Sequence, residues 1–367
     1  MKIAIVGGGI AGLYAAYKLQ ENPRIKTIVI FEKHARLGGR IKTVDFPGGG
    51  HVEAGAGRLS SKHKRALALA KELNLKLIKF PKATAPPVYL ERGVEKEKIP
   101  LLEPAPEDLT FQEWIHQHYN KAAAHTLANQ YGYDSLLKTN ARDASREIQH
   151  LGHGTFYTLE GGLSSLVSAL SARLSPHKVQ VHKGHAVKSI PALLDRFDHV
   201  VLATTAPDLW KLKVDTGSIV PHPLTRIYAY FSDTTFSGNR RMTCDNAVRQ
   251  CIPISKNVLM ASYSTDAHAE SWGRMPTHRL PGALHAALKQ AYGPRGDAVP
   301  WPQSVRRFYW KTGTHSWGVG SKTFTHPFDP RRLHICGEVA SNKNHAWIEG
   351  ALESVEALVL QKSPRNS

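Results

Sequence analysis

The chain commits itself within its first twelve residues. "KIAIV" (residues 2–6) is a short run of buried-strand type, and Gly7, Gly9 and Gly12 follow it as G-x-G-x-x-G, leading into the helix-patterned "IAGLYAAYKLQ". The first glycine permits a tight turn out of the strand, and the second lets the backbone approach a pyrophosphate. The third lets helix and strand pack closely, while the helix N-terminus adds partial positive charge. A second strand, "KTIVIFE", ends at Glu32, twenty residues past Gly12. An acidic side chain there accepts hydrogen bonds from adenosine ribose hydroxyls. This spacing predicts an α/β domain of Rossmann type that grips a dinucleotide.

The remainder leaves room for a second unit, because 367 residues suit about two domains better than one small core. No apolar run approaches the ~18–20 residues of a membrane helix. A strand starting at Lys2 leaves no space for a targeting peptide. Cys244, Cys251 and Cys336 have neither the spacing of a zinc site nor the density of a disulfide framework, so no metal is expected. The expected location is cytoplasmic, with a nuclear one as the alternative, and no membrane partner is expected. Lys and Arg number 48 against 30 Asp and Glu, a net charge of +18, which favours anionic partners. The basic residues are scattered, as in "SSKHKRALALAKELNLKLIKF". A solvated basic surface is the simpler reading, and nucleic acid stays open as a partner.

Helical periodicity marks "HKRALALAKELNL", residues 109–148 and "TLEGGLSSLVSALSARL", while "KVQVHKGHAVKSI" and "DHVVLATT" read as strands. Residues 84–108 read as loop with short strands. Residues 218–325 read as strands ("TRIYAYF", "NVLMASYS", "SVRRFYW") with one helix around "GALHAALKQAY", and the end reads as strand, loop and helix. Segments of nucleotide-binding type thus alternate with others. The expected division is a discontinuous dinucleotide-binding domain at 1–80, 151–215 and 330–367, and a substrate-binding domain at 81–150 and 216–329.

"RLGGRIKTV" follows Glu32 at once, "HVEAGAGRLS" follows that, and "CGEVASNKNHAWIEGALES" lies near the end. Together these stretches resemble the flavin-dependent amine oxidase family, which includes monoamine oxidases, polyamine oxidases and lysine-specific histone demethylases. The similarity covers the first sixty residues, the middle and the last thirty-five, and is thin over the substrate domain. It implies a Rossmann-type FAD-binding domain plus a mixed-sheet substrate domain with a helical insertion. It also implies contacts. Gly7, Gly9, Ala11 and Gly12 would cradle the pyrophosphate, with Glu32 and the adjoining Lys33 at the ribose. Gly39 and Arg40 would approach the phosphates and ribityl chain, and Gly57 and Arg58 the isoalloxazine. Val187 matches the position whose backbone reads the adenine edge, though it reads equally as strand core. Gly337 and Glu338 match a pair near the diphosphate. Trp347 and Ile348 precede the final helix, whose dipole would stabilise reduced flavin.

Three departures bear on chemistry. Where many members hold a water with lysine, "HPLTRIYAYF" puts Arg226, which stays protonated and serves as a fork for a carboxylate rather than as a base; a purely structural arginine is the other reading. Of the two aromatic cage walls, one aligns with Trp347 and the other with Gly320, leaving Trp317 and His315 as substitutes; Trp317 reads equally as core. Val319 stands where members with covalent flavin have cysteine, so FAD should be bound non-covalently. The expectation is an FAD-dependent oxidoreductase acting on an amine or amino acid, with hydride delivered to flavin N5 and oxygen reoxidising the flavin to give hydrogen peroxide. The alternatives are a desaturase or isomerase on the same FAD domain, and a basic FAD-binding protein that docks on nucleic acid.

Overall fold

The computed structural model describes residues 1–47, 50–80, 85–102, 105–152 and 155–362, and the counts below are of those residues. The strand Lys2–Val6 lies between Thr27–Glu32 and His199–Leu202 in a parallel sheet of five, with Val179–Lys183 and Leu333–Ile335 at its edges. Ile3, Ala4 and Ile5 are buried on both faces, as continuous apolar strands of a parallel sheet must be. Helix Ile10–Leu19 and the last helix, Ile348–Lys362, share one core on one face, through Leu13, Leu19, Leu352 and Val355. The other face carries Ile190, Leu209 and Trp317.

A second, seven-stranded sheet runs in the order Ser304–Trp317, Ile219–Tyr230, Val258–Thr265, Gln250–Pro253, Arg240–Cys244, Ala85–Glu91, Val94–Lys96. Its pairings are antiparallel except that between Arg240–Cys244 and Ala85–Glu91. Helix Leu280–Tyr292 packs on it through Leu284 and Leu288. Four helices, Phe111–His118, Lys121–Asn129, Ser135–Lys138 and Ala141–Gly152, close their own core around Trp114 and Leu127. Thr110 and Glu113 begin the first of these with reciprocal capping bonds. The class is the expected one: a Rossmann-type α/β unit with a mixed-sheet unit and a helical insertion.

Two elements differ from the sequence reading. "GHAVKSI" is not a strand. Gly184, at φ +70°, turns the chain, and the His185 N–H donates to the Glu32 carbonyl at 2.8 Å. Val187 therefore sits in a non-strand segment, ahead of a short helix, Ile190–Leu194, capped by Ser189. Residues 218–325 hold a second α-helix, Asp266–Arg274. It opens on Asp266 at φ +51°, with Thr265 at the N-cap position making no side-chain cap bond; the sequence reading passed over the Thr265–Asp266 start signal. Of the expected domains, residues 48–49, 81–84, 103–104, 153–154 and 363–367 lie outside the described residues.

Candidate active site

A cavity of about 1810 Å³ is lined by both large sheets and the helical insertion. At one end the wall is mostly backbone. Gly7 turns at φ +111°, and a Cβ there would fall 2.3 Å from the Ala203 carbonyl oxygen. Gly12 does not line the cavity; a Cβ on it would fall 1.9 Å from the Gly7 carbonyl oxygen, so it serves close packing. Gly9 precedes helix Ile10–Leu19, whose first turn has no side-chain cap. Its orphan N–H groups adjoin the cavity, which suits an anion. Gly39, at φ +56°, approaches Gly9 so closely that a Cβ would lie 3.2 Å from the Gly9 Cα. The Glu32 carboxylate accepts from the Gly8 N–H (2.7 Å) and the His34 N–H (2.8 Å). Lys33 pairs with Asp208 at the rim. Ala11, Val187, Gly337 and Ile348 also line this cavity.

Midway, Glu338 gathers three donors: Arg40 Nη1, His315 Nδ1 (2.6 Å) and the Ala346 N–H (3.2 Å). Burial opposes its charge, but His315 and Arg40 outweigh that and hold its carboxyl well below the usual range. The other ring nitrogen of His315 accepts from the Ala206 N–H at 3.2 Å. Burial lowers the His315 pKa, so the ring is a neutral strut between Glu338 and the sheet. Trp317 is 1% exposed and packs edge-on against Phe324 and His345. Gly320, aligned with the second cage wall, does not line the cavity, and it and Val319 are exposed.

The far end is built from side chains. Arg226, on the strand Ile219–Tyr230, is buried, with its guanidinium 4.6 Å from the Tyr263 ring centre and Nη1 donating to the Glu53 carbonyl at 3.2 Å. Gly57 makes room for it: a Cβ there would fall 2.2 Å from Nη1. Tyr263 meets Tyr133 edge-to-face at 5.3 Å, and Arg58 Nη2 donates to the Tyr133 hydroxyl at 3.1 Å. The Arg58 guanidinium lies 4.3 Å from the Phe156 ring centre and 5.9 Å from that of Trp347. Behind them Arg241 donates to Gln250 at 2.6 Å. None of Arg58, Arg226 and Arg241 has an ion-pair partner among the described residues, and the Nε atoms of Arg226 and Arg241 are buried without a hydrogen bond. Trp347 Nε1 donates to both Glu147 oxygens, at 3.1 and 3.2 Å. Sequence reasoning missed Tyr133, Glu147, Arg241 and Tyr263. They stand alone in their local stretches, and only the fold brings them to Arg58 and Arg226.

A cavity with a glycine-built cradle at one end and an aromatic and cationic chamber at the other has room for a dinucleotide beside a substrate. Residues 10–155 match the flavin containing amine oxidoreductase family. The flavin-dependent L-tryptophan oxidase RebO of Lentzea aerocolonigenes is 25% identical over 98% of this chain and 97% of its own length. Human protoporphyrinogen oxidase is 39% identical over 20% of this chain and 16% of its own. The solved structure of putrescine oxidase bound to putrescine superposes with a TM-score of 0.72 at 14% identity, covering 98% of this chain and 99% of that one. The chain is thus similar to the flavin-containing amine oxidoreductases, and these likenesses support an FAD-dependent oxidoreductase.

Proposed function

We propose that this protein oxidises the α-carbon of an amino acid, using non-covalently held FAD and releasing hydrogen peroxide. The observation that carries the reading is the set of arginines without carboxylate partners at the far end of the cavity. Three buried or half-buried cations repel a diamine and attract a carboxylate, to which Arg226 and Arg58 present planar forks. Trp347, Tyr263 and Tyr133 supply apolar faces for a side chain.

The dinucleotide end fits FAD. The uncapped helix and the Gly7–Gly12 turn would take the pyrophosphate, while Glu32 keeps lone pairs for the ribose beside the two N–H bonds it already accepts. Gly337 and Arg40, steered by Glu338, would face the ribityl chain. When bound, the flavin accepts a hydride equivalent from the substrate carbon; the chain's residues bind, orient and exclude water. Arg226 holds the carboxylate, and Trp347 closes one side. The division into an FAD-binding domain (1–80, 151–215, 330–367) and a substrate-binding domain (81–150, 216–329) is supported by the two large sheets, whose strands come from these respective segments.

The test is anaerobic mixing with amino acids and with amines while the flavin absorbance is followed. Bleaching by an amino acid but not by its decarboxylated amine supports the reading. Bleaching by putrescine and by no amino acid sinks it. Release of intact FAD on denaturation checks the non-covalent part.

A further inference from the structure

Six carboxylates among the described residues line the cavity: Glu32, Asp143, Glu147, Asp208, Glu270 and Glu338. Five are committed. Glu32 accepts two backbone N–H groups, Asp143 pairs with Arg146 and Lys322, Asp208 with Lys33 and Lys211, Glu270 with Arg274, and Glu338 with Arg40 and His315. Glu147 alone has neither a cation nor a backbone donor; its described partner is the Trp347 indole N–H. That bond splits over both oxygens and fixes the plane of the carboxylate at the chamber wall while leaving lone pairs free.

An α-amino acid carries ammonium and carboxylate on one carbon. A chamber that seats the carboxylate at Arg58 and Arg226 must also meet the ammonium, and an ammonium has no lone pair to support oxidation at its carbon. We propose that Glu147 takes the proton from the substrate's α-ammonium. The N–H bond breaks and its electron pair stays on nitrogen. The proton forms an O–H bond on Glu147, and it leaves to solvent once the product has gone. The inference rests on the amino acid reading above.

The surroundings suit this role. Burial pushes the Glu147 carboxyl up to about 7, against the pull of the Trp347 N–H and the Arg58 charge, and a base poised near working pH transfers protons well. The groups around it are Arg58, Tyr133 and, against Trp347, His63, with Asp143, Arg146 and His150 on its own helix. His63, whose pKa burial lowers to about 4, stays neutral, and Asp143 and Arg146 neutralise each other.

The experiment compares wild type, Glu147→Gln and Glu147→Asp. Anaerobic flavin reduction by an amino acid is followed from about pH 6 to about pH 10. Loss of a positioned base typically costs about 10²–10⁴-fold. Glu147→Gln is expected to fall by that factor at neutral pH and to recover about tenfold per pH unit towards the ammonium's own pKa. Glu147→Asp should retain part of the rate. Two readouts do not need turnover. Infrared titration of the flavin-free protein should show a carboxyl band titrating near neutrality in wild type and missing in Glu147→Gln. Benzoate, a carboxylate without an amine, should bind all three proteins alike. A wild-type pH profile in Glu147→Gln, or an unchanged infrared titration, overturns the proposal. Benzoate binding lost with Glu147 overturns it too, since the residue would then be shaping the chamber. Wild type untouched by every amino acid would defeat the amino acid reading itself, and this step with it.

Discussion

The two ends of the cavity are built on opposite principles. The glycine end is made of missing atoms: at Gly7, Gly12 and Gly39 a Cβ would press on neighbouring backbone. The far end is made of added charge: Arg58, Arg226 and Arg241 gather about Tyr133 and Tyr263 without an ion-pair partner among the described residues. The first end is set by local backbone geometry and gains stability from close packing. The second concentrates like charges and is held together by the sheets around it. Stability and function should therefore part company at one end and travel together at the other.

Adding an atom at the first end should have the largest effect. Gly12→Val places a Cβ against the Gly7 carbonyl oxygen, 1.9 Å away on the present backbone, so turn and helix must separate. Overpacking of this kind costs about 1–3 kcal/mol or more. The expected outcome is a lower melting temperature together with little recovered flavin. A yellow protein of wild-type stability would break the comparison.

Removing a charge at the second end should do the reverse. Arg226→Met should lower kcat/KM for an amino acid on the order of a hundredfold or more, the worth of a buried charge-assisted pair. A buried cation without an anion opposes folding, so its melting temperature should hold or rise. Arg226→Lys should recover little, because a point charge does not reproduce the fork. If activity and stability fall together, Arg226 is a strut of the sheet.

Glu32→Ala sharpens the first half. Loss of ribose bonds predicts about ten- to a hundredfold weaker FAD binding, read by flavin release on dilution. The Gly8 and His34 N–H groups would lose their acceptor as well. A stability loss of about 1–3 kcal/mol should accompany it. An unchanged flavin affinity would remove Glu32 from the site.

The smallest effect concerns pH. His63 accepts from the Ser60 N–H and packs on Trp347, and burial lowers its pKa to about 4. Between the unfolded value of about 6.5 and that figure, the unfolded chain binds the proton and the folded one does not. The stability is complete above about 6.5 and is lost as pH falls, at no more than ~1.4 kcal/mol per pH unit. His63→Gln should flatten the fall in melting temperature over that window. An identical slope would assign the acid sensitivity to other groups.

Much of the first end was legible in the sequence because its parts are neighbours in the chain. Strand, turn and helix fall within twenty residues, and the glycines report their own steric demand. Glu32 was legible by spacing, though not its bonds to Gly8 and His34. The second end was legible only where a residue stood beside a motif. Arg58 follows the Gly57 stretch, Arg226 replaces a lysine, and Trp347 precedes the last helix. Tyr133 comes from a connection, Glu147 from a helix, and Arg241 and Tyr263 from two different strands, and no local pattern distinguishes them from ordinary interior residues. The strand reading of "GHAVKSI" went astray because Gly184, with positive φ, ends the strand at Lys183 while the apolar pattern runs on to Ile190.

The last helix lies along the first. Ile348–Lys362 covers Ile10–Leu19, and the strand Leu333–Ile335 completes the edge of the sheet begun by Lys2–Val6. On a ribosome adding about 5–20 residues per second, the strand Lys2–Val6 and helix Ile10–Leu19 wait for partners made more than three hundred residues later. Until then Leu13 and Leu19 have no cover from Leu352 and Val355, and the nascent chain carries an apolar helix face into a crowded cytosol or lumen. The glycine turn is therefore synthesised long before the helix that covers it, and a holding chaperone has the whole interval in which to act.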